Sequence, residues 1–228
     1  MNRPHISLPR RLAPAVLGLC LGLTALTSCE VMIDEPIEAQ MMKIDRDNFV
    51  LMMGDTCRLN IDFTPHVVTN LTAFWELIDS VGVINVLDNG SVVATQPGEA
   101  DVRIVTANAV LTDTIHVRVI EDWRELYDTY PYDMFVYADV NFKNYHNDAS
   151  GLRIGAFIDD ELRGFGEVRT DHGVTYTLFR IWHDRPNGAK VTFRYYLPRE
   201  YSTGDMEFSI DFDEGVHGRL NNLISITR

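Results

Sequence analysis

The chain has 228 residues and a formal net charge of −13, from 20 basic and 33 acidic side chains. A protein this acidic repels phosphate backbones, so we expect no nucleic-acid partner. Apolar residues make up 46% of the chain, enough for packed cores, whereas three cysteines are too few for a disulfide-dense scaffold.

The first 28 residues have the layout of a secretory signal peptide. Arg3, Arg10 and Arg11 form a basic start, and an apolar run follows from Leu12 to Leu26. This run is shorter than the roughly 20 residues that a membrane-spanning helix needs. We therefore expect residues 1–28 to be removed on export.

The signal peptide ends in Leu26-Thr27-Ser28-Cys29, which resembles the bacterial lipobox. The resemblance implies cleavage before Cys29 and lipidation of its thiol, so the membrane becomes a partner through a lipid anchor on Cys29. The alternative is an ordinary signal peptide that contains a cysteine. The mature chain keeps 17 basic and 33 acidic residues, a net charge of −16, and should be repelled by anionic head groups.

Residues 29–42 are predicted to form a lipidated, acidic tether, because acidic residues and Pro36 follow Cys29 closely. This acidic start resembles the export signal of Bacteroidetes-type surface lipoproteins. The resemblance implies a location in the outer membrane with the body facing outward. A body that faces the periplasm is the alternative.

Residues 43–120 combine short strands with turn residues. From Cys57 to Phe63, apolar and polar residues alternate as in a half-buried strand, and Asp88-Asn89-Gly90 predicts a tight turn. No segment shows sustained helical periodicity, so we predict a β-sandwich. Cys57 is expected to be a small buried side chain of one strand.

The order of residues in this range resembles a bacterial Ig-like domain of group 2, over about 75 residues. The sequence departs from that pattern after Trp75. The resemblance implies a stalk or spacer and transfers no catalytic residue. The matching pieces are Leu51…Gly54-Asp55-Thr56, Phe63-Thr64-Pro65, Phe74-Trp75, Ile84-Asn85-Val86, Asn89 to Ala94, Gln96 to Ala100 and His116 to Val119.

Residues 121–131 are predicted to link two modules. Trp123, Leu126 and Tyr127 suit one helical turn that packs between the modules, and Pro131 should end it.

A second β pattern covers residues 132–228. Both alternating sets of residues from Met134 to Phe142 are partly apolar, which favours a central strand. Gly164 and Gly166 suggest a bend or bulge, and Asp171-His172-Gly173 predicts a turn. We predict a second β-sandwich here, so that the whole chain is all-β, with two consecutive sandwich domains.

This half resembles a β-sandwich module of Bacteroidetes surface proteins, over about 95 residues. The module has no assigned activity, so the resemblance implies architecture and location but no site. The matching words are Gly155 to Gly164, Phe179 to Trp182, Lys190 to Arg194 and His217-Gly218…Asn221-Asn222-Leu223.

We find no sequence pattern typical of an enzyme. The chain lacks G-x-S-x-G, a P-loop and a complete G-x-G-x-x-G, and its histidines do not pair at metal-ligand spacing. Asp159-Asp160-Glu161 and Asp211 to Glu214 could offer oxygen ligands to Ca²⁺, but solvated turns on an acidic surface explain both. We predict no catalytic residue, no cofactor and no metal.

Aromatic residues are frequent in the second half, and rings beside charged groups are typical of carbohydrate-binding surfaces. Tyr145, in a polar segment, and Trp182, beside His183, Asp184 and Arg185, are the candidate ligand-binding residues. Packing in the core is the alternative for Trp182. These residues predict a non-enzymatic protein that binds a glycan or a host protein; a stalk or assembly subunit is the alternative.

Two short segments, Asp79-Ser80-Val81 and Asp113-Thr114-Ile115, resemble the three-residue O-glycosylation signal of the same bacterial group. The resemblance implies modification of Ser80 and Thr114. Motifs of this length also occur by chance.

Overall fold

The computed structural model describes residues 36–69, 71–78, 82–124, 126, 130–148 and 150–227. The predicted signal peptide, Cys29 and Ser80 lie outside the described residues. In the described part the regular elements are all strands, so the predicted all-β class is confirmed. That part also contains no helix with the length and apolar character needed to cross a bilayer.

The N-terminal half, residues 36–120, contains two larger sheets and a two-stranded one. Its strands are β1 (Met41–Ile44), β2 (Phe49–Met52), β3 (Thr56–Arg58), β4 (Ile61–Thr64), β5 (Ala73–Ile78), β6 (Ile84–Val86), β7 (Ser91–Ala94), β8 (Gly98–Thr106) and β9 (Thr112–Ile120). One sheet has the order β2-β9-β8-β5 and the other the order β3-β7-β6, while β1 pairs with β4.

Both sheets contribute to one hydrophobic core. Val102, Ile104 and Val117 are fully buried on the inner face of the larger sheet, because strand residues alternate between faces. Cys57 lies in the same core from the smaller sheet, so its predicted burial is confirmed. Burial raises the pKa of the Cys57 thiol, which favours its protonated form.

The alternating segment from Cys57 to Phe63 is not one strand, as predicted, but two. Strand β3 pairs with β7, whereas β4 pairs with β1. Between them, the Leu59 amide donates to the Gly90 carbonyl, at 2.9 Å, and Asn60 bonds to Asp45. Apolar and polar residues alternate through both strands, because the apolar side chains of both strands point toward the same core.

The predicted tight turn at Gly90 is confirmed, and its geometry requires glycine. Gly90 has a φ of +81°, and a Cβ there would lie 2.6 Å from the Leu59 carbonyl oxygen. The half-buried indole of Trp75 packs against the same position, at 3.1 Å from that ideal Cβ. Trp75 is thus part of the core packing of this half.

The C-terminal half, residues 132–227, is one curled sheet of nine strands. Its strands are β10 (Tyr132–Phe142), β11 (Tyr145–His146), β12 (Arg153–Ile158), β13 (Glu161–Asp171), β14 (Val174–His183), β15 (Asn187–Leu197), β16 (Ser202–Asp213), β17 (Gly215–His217) and β18 (Ile224–Thr227). The order is β11-β10-β14-β13-β12-β15-β16, and β17 and β18 also pair with β10.

Strand β10 is central, as predicted: β14 and the short β11 pair with it on one side, and β17 and β18 pair with it on the other. The sheet curls until β16 contacts β18, so its two ends face each other across one core. Phe142, Phe179 and Phe193 are fully buried in this core.

The predicted irregularity near Gly164 is a β-bulge. Ala156 pairs with Gly164 but Phe157 pairs with Leu162, which leaves Arg163 without a partner residue on β12. The turn after Asp171 is also confirmed, since His172 and Gly173 both have positive φ between β13 and β14.

The two halves meet through a small hydrophobic cluster. Trp123, from the predicted linker, is buried with Met52, Phe157 and Tyr196, which confirms that it packs between the halves. Trp123 meets the ring of Phe157 edge to face, at a centroid distance of 5.4 Å. Trp123 lies in a turn rather than in a helix, and Tyr127 lies outside the described residues.

Candidate ligand-binding face

The outer face of β10, β14 and β13 carries aromatic side chains in neighbouring strands. Phe135 of β10 lies opposite Arg180 of β14, which in turn lies opposite Phe165 of β13. Trp182 and Leu178 follow at alternate positions of β14, so they share this face with Arg180. We call these five residues the aromatic face.

The aromatic face lines a shallow cavity of about 310 Å³. This volume is at the lower end of the range for small-ligand sites. Phe135, Phe165 and Trp182 are half-buried, so parts of their rings are accessible to a ligand. The cavity is completed by Leu126, Glu167 and Arg169.

Arg180 holds the aromatic rings in place. Its Nε and Nη2 donate to Asp133 Oδ2 at 2.8 and 2.6 Å. Its guanidinium lies 4.0 Å from the Trp182 ring centroid and 5.3 Å from that of Phe135. Because a cation over a ring face is attracted to the ring, these contacts orient both aromatic side chains.

Charges on this face are compensated pairwise. Arg180 pairs with Asp133, and Arg169 Nη2 donates to Glu167 Oε2 at 2.5 Å. Hydrogen bonding to Glu167 raises the pKa of the Arg169 guanidinium, which stays charged at any working pH. The face therefore offers polar groups beside the rings without a net charge from these two pairs.

Glycine permits the close packing of the strands that carry the face. A Cβ on Gly164 would lie 2.5 Å from the Arg180 carbonyl oxygen, and one on Gly166 would lie 2.7 Å from Thr177 Cγ2. Since neither glycine has a side chain, β13 can lie against β14 directly beneath the aromatic face.

The structure separates the residues predicted around Trp182. Trp182 lies on the aromatic face, whereas His183, the next residue, is buried and meets Phe212 edge to face at 5.1 Å. Asp184 and Arg185 are exposed in the turn between β14 and β15. Adjacent strand residues point to opposite faces, so Trp182 and His183 cannot contact the same ligand from one side.

Tyr145 lies far from Trp182. Trp182 pairs with Asp133 near the start of β10, whereas Tyr145 pairs with Phe142 at its end. Nine residues of strand separate the two positions, or about 30 Å. The Tyr145 ring is half-buried against the C-terminal core and covers Gly151.

Of the five residues of the aromatic face, the sequence pointed only to Trp182, and not to Phe135, Phe165, Leu178 or Arg180 as ligand-binding residues. The i, i+2 spacing of Leu178, Arg180 and Trp182 could have indicated that they share a face. The register that brings Phe135 and Phe165 beside them depends on pairing between distant strands, which this spacing does not reveal.

Two of the carboxylates considered for Ca²⁺ have other partners. Asp160 pairs with Arg194, and Glu161 accepts hydrogen bonds from Tyr130 and Arg163. Among the residues that the structure describes, no group of three His, Cys, Asp or Glu side chains could hold a metal ion. Thr114 is exposed on β9.

A second cavity, of about 550 Å³, lies where the two halves meet. Its aromatic residues, Trp123 and Phe157, are buried, and the Arg194 guanidinium lies 4.4 Å from the Phe157 ring centroid. Arg194 also pairs with Asp160 and Asp205. Because Trp123 and Phe157 are buried whereas the rings of the aromatic face are half-buried, this cavity offers less aromatic surface to a ligand.

No protein-family model and no curated protein matches the chain. Solved structures that the chain matches include protocadherin gamma B7 cadherin domains 1–4, at 12% identity over 76% of this chain and 49% of that chain, with a TM-score of 0.31. They also include domains 5–6 of the S-layer protein SbsC, at 10% identity over 80% of this chain and 99% of that chain, with a TM-score of 0.32. The chain thus spans about half of the protocadherin structure. A third matched structure is SGBP-B of the Bacteroides ovatus mixed-linkage glucan utilization locus, in complex with a mixed-linkage heptasaccharide. The identity is 9% over 72% of this chain and 43% of that chain, with a TM-score of 0.24.

Proposed function

We propose that this protein is a non-enzymatic surface lipoprotein that binds a glycan through the aromatic face. The arrangement of Phe135, Phe165 and Trp182 around Arg180 carries this proposal. Sugar rings have C–H-rich faces that stack on aromatic rings, and their hydroxyls bond to charged groups at the edge. The aromatic face offers both kinds of contact within one cavity.

The charges favour a neutral glycan over an acidic one. Arg180 and Arg169 are already paired with Asp133 and Glu167, so a ligand carboxylate or sulfate would have to compete with these two carboxylates. The mature chain also carries a net charge of −16, which repels an anionic polymer. A neutral polysaccharide does not depend on a free Arg side chain and is not repelled by the net charge.

The remaining parts of the chain fit this role. The lipid on Cys29 would anchor the protein in the outer membrane, and the N-terminal half would act as a spacer that presents the aromatic face outside the cell. Protease treatment of intact cells, followed by immunoblotting for the C-terminal half, tests this location. Digestion without lysis is expected, and complete protection would contradict an outward-facing body.

Calorimetric titration with a panel of neutral and acidic polysaccharides tests the ligand. Trp182→Ala and Phe165→Ala should each weaken binding at least tenfold while the protein stays folded. Phe74→Ala is the matched control, because Phe74 is a 54% exposed aromatic residue of the N-terminal half. Equal losses in all three variants, or binding of acidic glycans only, would contradict the proposal.

A stalk or assembly subunit is the second candidate function. Tight packing between the halves favours it, because Trp123, Met52, Phe157 and Tyr196 bury one another and leave little freedom for a hinge. A stalk should show no ligand-induced shift of the melting temperature with any glycan and should co-purify with partner proteins.

A further inference from the structure

Three exposed apolar side chains lie at the end of the N-terminal half from which the chain continues toward Cys29. Ile37, Met41 and Val67 are 44%, 56% and 67% exposed. Single exposed apolar residues are ordinary on a protein surface, but a group of them marks an interaction site.

Backbone pairing brings these three residues together. Met41 pairs with Thr64, three positions before Val67. Ile37 N donates to Thr69 Oγ1 at 2.8 Å, and Thr69 N donates to the Ile37 carbonyl at 3.1 Å. Val67 therefore lies between two residues that are tied to the segment of Ile37 and Met41. We call Ile37, Met41 and Val67 the apolar tip.

A groove lies beside the segment that contains Val67, since the next residue, Val68, lines it. Its volume is about 440 Å³, and its lining includes Phe63, Val68 and Leu71, together with one polar residue, His66. Burial of the apolar side chains of the tip and of this groove would be favourable, since each buried methylene is worth about 0.8 kcal/mol. The apolar tip, with the apolar side chains of the groove beside it, is therefore a surface that an apolar occupant can cover.

The distance to the lipid anchor identifies that occupant. Eight residues lead from Cys29 to Ile37, which span at most about 28 Å when fully extended. Any membrane that holds the lipid on Cys29 is therefore within reach of the apolar tip. We infer that the apolar tip inserts into the interface of the bilayer that carries the lipid anchor, an inference that rests on the proposed lipidation of Cys29.

Charge restricts the kind of membrane that suits the apolar tip. Asp62 lies opposite the exposed Lys43, but Glu38 is exposed beside Ile37, and Glu38 and the net negative charge of the mature chain repel anionic head groups. Docking should thus be stronger on zwitterionic vesicles than on anionic ones. Insertion of the tip adds a second membrane contact to the one made by the lipid anchor. It also limits rotation of the body about its tether.

Fluorescence quenching by brominated lipid tests this inference on the lipidated full chain. Val67→Cys and Val216→Cys are each labelled with an environment-sensitive dye, since Cys57 is buried and the lipid occupies the thiol of Cys29. Val216 is the matched control, because it is 65% exposed and lies in the C-terminal half. Both proteins are reconstituted into phosphatidylcholine vesicles, with and without 30% phosphatidylglycerol.

The dye at position 67 should be quenched at least twofold more than the dye at position 216, and less so with phosphatidylglycerol. Equal quenching at both positions, or none at either on vesicles that carry the protein in a flotation gradient, would overturn tip docking and leave the lipid anchor intact. Failure of the protein to float with the vesicles would overturn the anchor and tip docking together.

Discussion

The phenolic hydroxyl of Tyr196 donates a hydrogen bond of 3.0 Å to Asp55 Oδ2, across 141 positions of sequence. Tyr196 belongs to the C-terminal half and Asp55 to the N-terminal half, so this bond joins the two. Burial raises the pKa of Tyr196, which keeps the hydroxyl protonated as a donor. Arg124 and Arg153 also approach Asp55, at 3.3 and 3.7 Å.

Tyr196→Phe should lower the free energy of unfolding by about 1–2 kcal/mol, the cost of one hydrogen bond to a carboxylate that keeps other partners. Denaturant unfolding measures this change. Tyr132→Phe is the control, because no hydrogen bond of the Tyr132 hydroxyl is found among the described residues, and it should be nearly neutral. Equal effects of both substitutions would contradict a bond between the halves.

Asn147→Ala should lower the free energy of unfolding by about 2–4 kcal/mol, because buried groups would lose their partners. The Asn147 side chain is 6% exposed and makes four hydrogen bonds of 2.8–3.2 Å, with Val140 N, Thr177 Oγ1, Asp139 Oδ1 and Thr175 O. Asn85→Ala, at an exposed position of β6, should change stability by less than about 0.5 kcal/mol. A small effect at Asn147 would mean that water replaces its side chain.

Stability should fall in acid through Asp122. Burial alone raises the pKa of the Asp122 carboxyl, but hydrogen bonds from the Arg124 side chain and amide outweigh burial, so the pKa is lowered. A lowered pKa in the folded state contributes stability that is present above about pH 4 and is lost as the pH falls further. Asp122→Asn should therefore flatten the decline of the unfolding free energy between about pH 4 and pH 2.

Urea unfolding at several pH values checks this prediction. Asn85→Ala, which removes no titratable group, is the control and should leave the acid slope as in the wild type. An unchanged slope in Asp122→Asn would show that other carboxylates dominate the response to acid.

Gly164→Ala should destabilise the protein by about 1–3 kcal/mol, because its Cβ would lie 2.5 Å from the Arg180 carbonyl oxygen. The added methyl group should also displace the backbone of Arg180 and weaken the proposed glycan binding. Gly173→Ala meets no atom within 4 Å, so it should cost only about 1 kcal/mol for its positive φ. Thermal melting of both variants measures the difference, and an equal loss would argue against tight packing of β13 on β14.

Local patterns predicted the strands and turns of this chain well. Both faces of β10 are partly apolar, and that strand is central, with partners on either side. Gly90 and Gly173 lie in the predicted turns because their positive φ suits glycine best. The alternation from Cys57 to Phe63 was interpreted as one strand, because alternation reports the inward face and not the partner strand.

By itself, the sequence determined the all-β class, the burial of Cys57 and the positions of the tight turns, since each of these depends on residues near one another in the chain. Only the tertiary structure decided that Phe135, Arg180 and Phe165 lie side by side. It also decided that Trp182 faces the cavity while His183 faces the core, and that Tyr196 bonds to Asp55. Those relationships depend on the register between distant strands, and a shift of register by one residue would place every side chain on the other face.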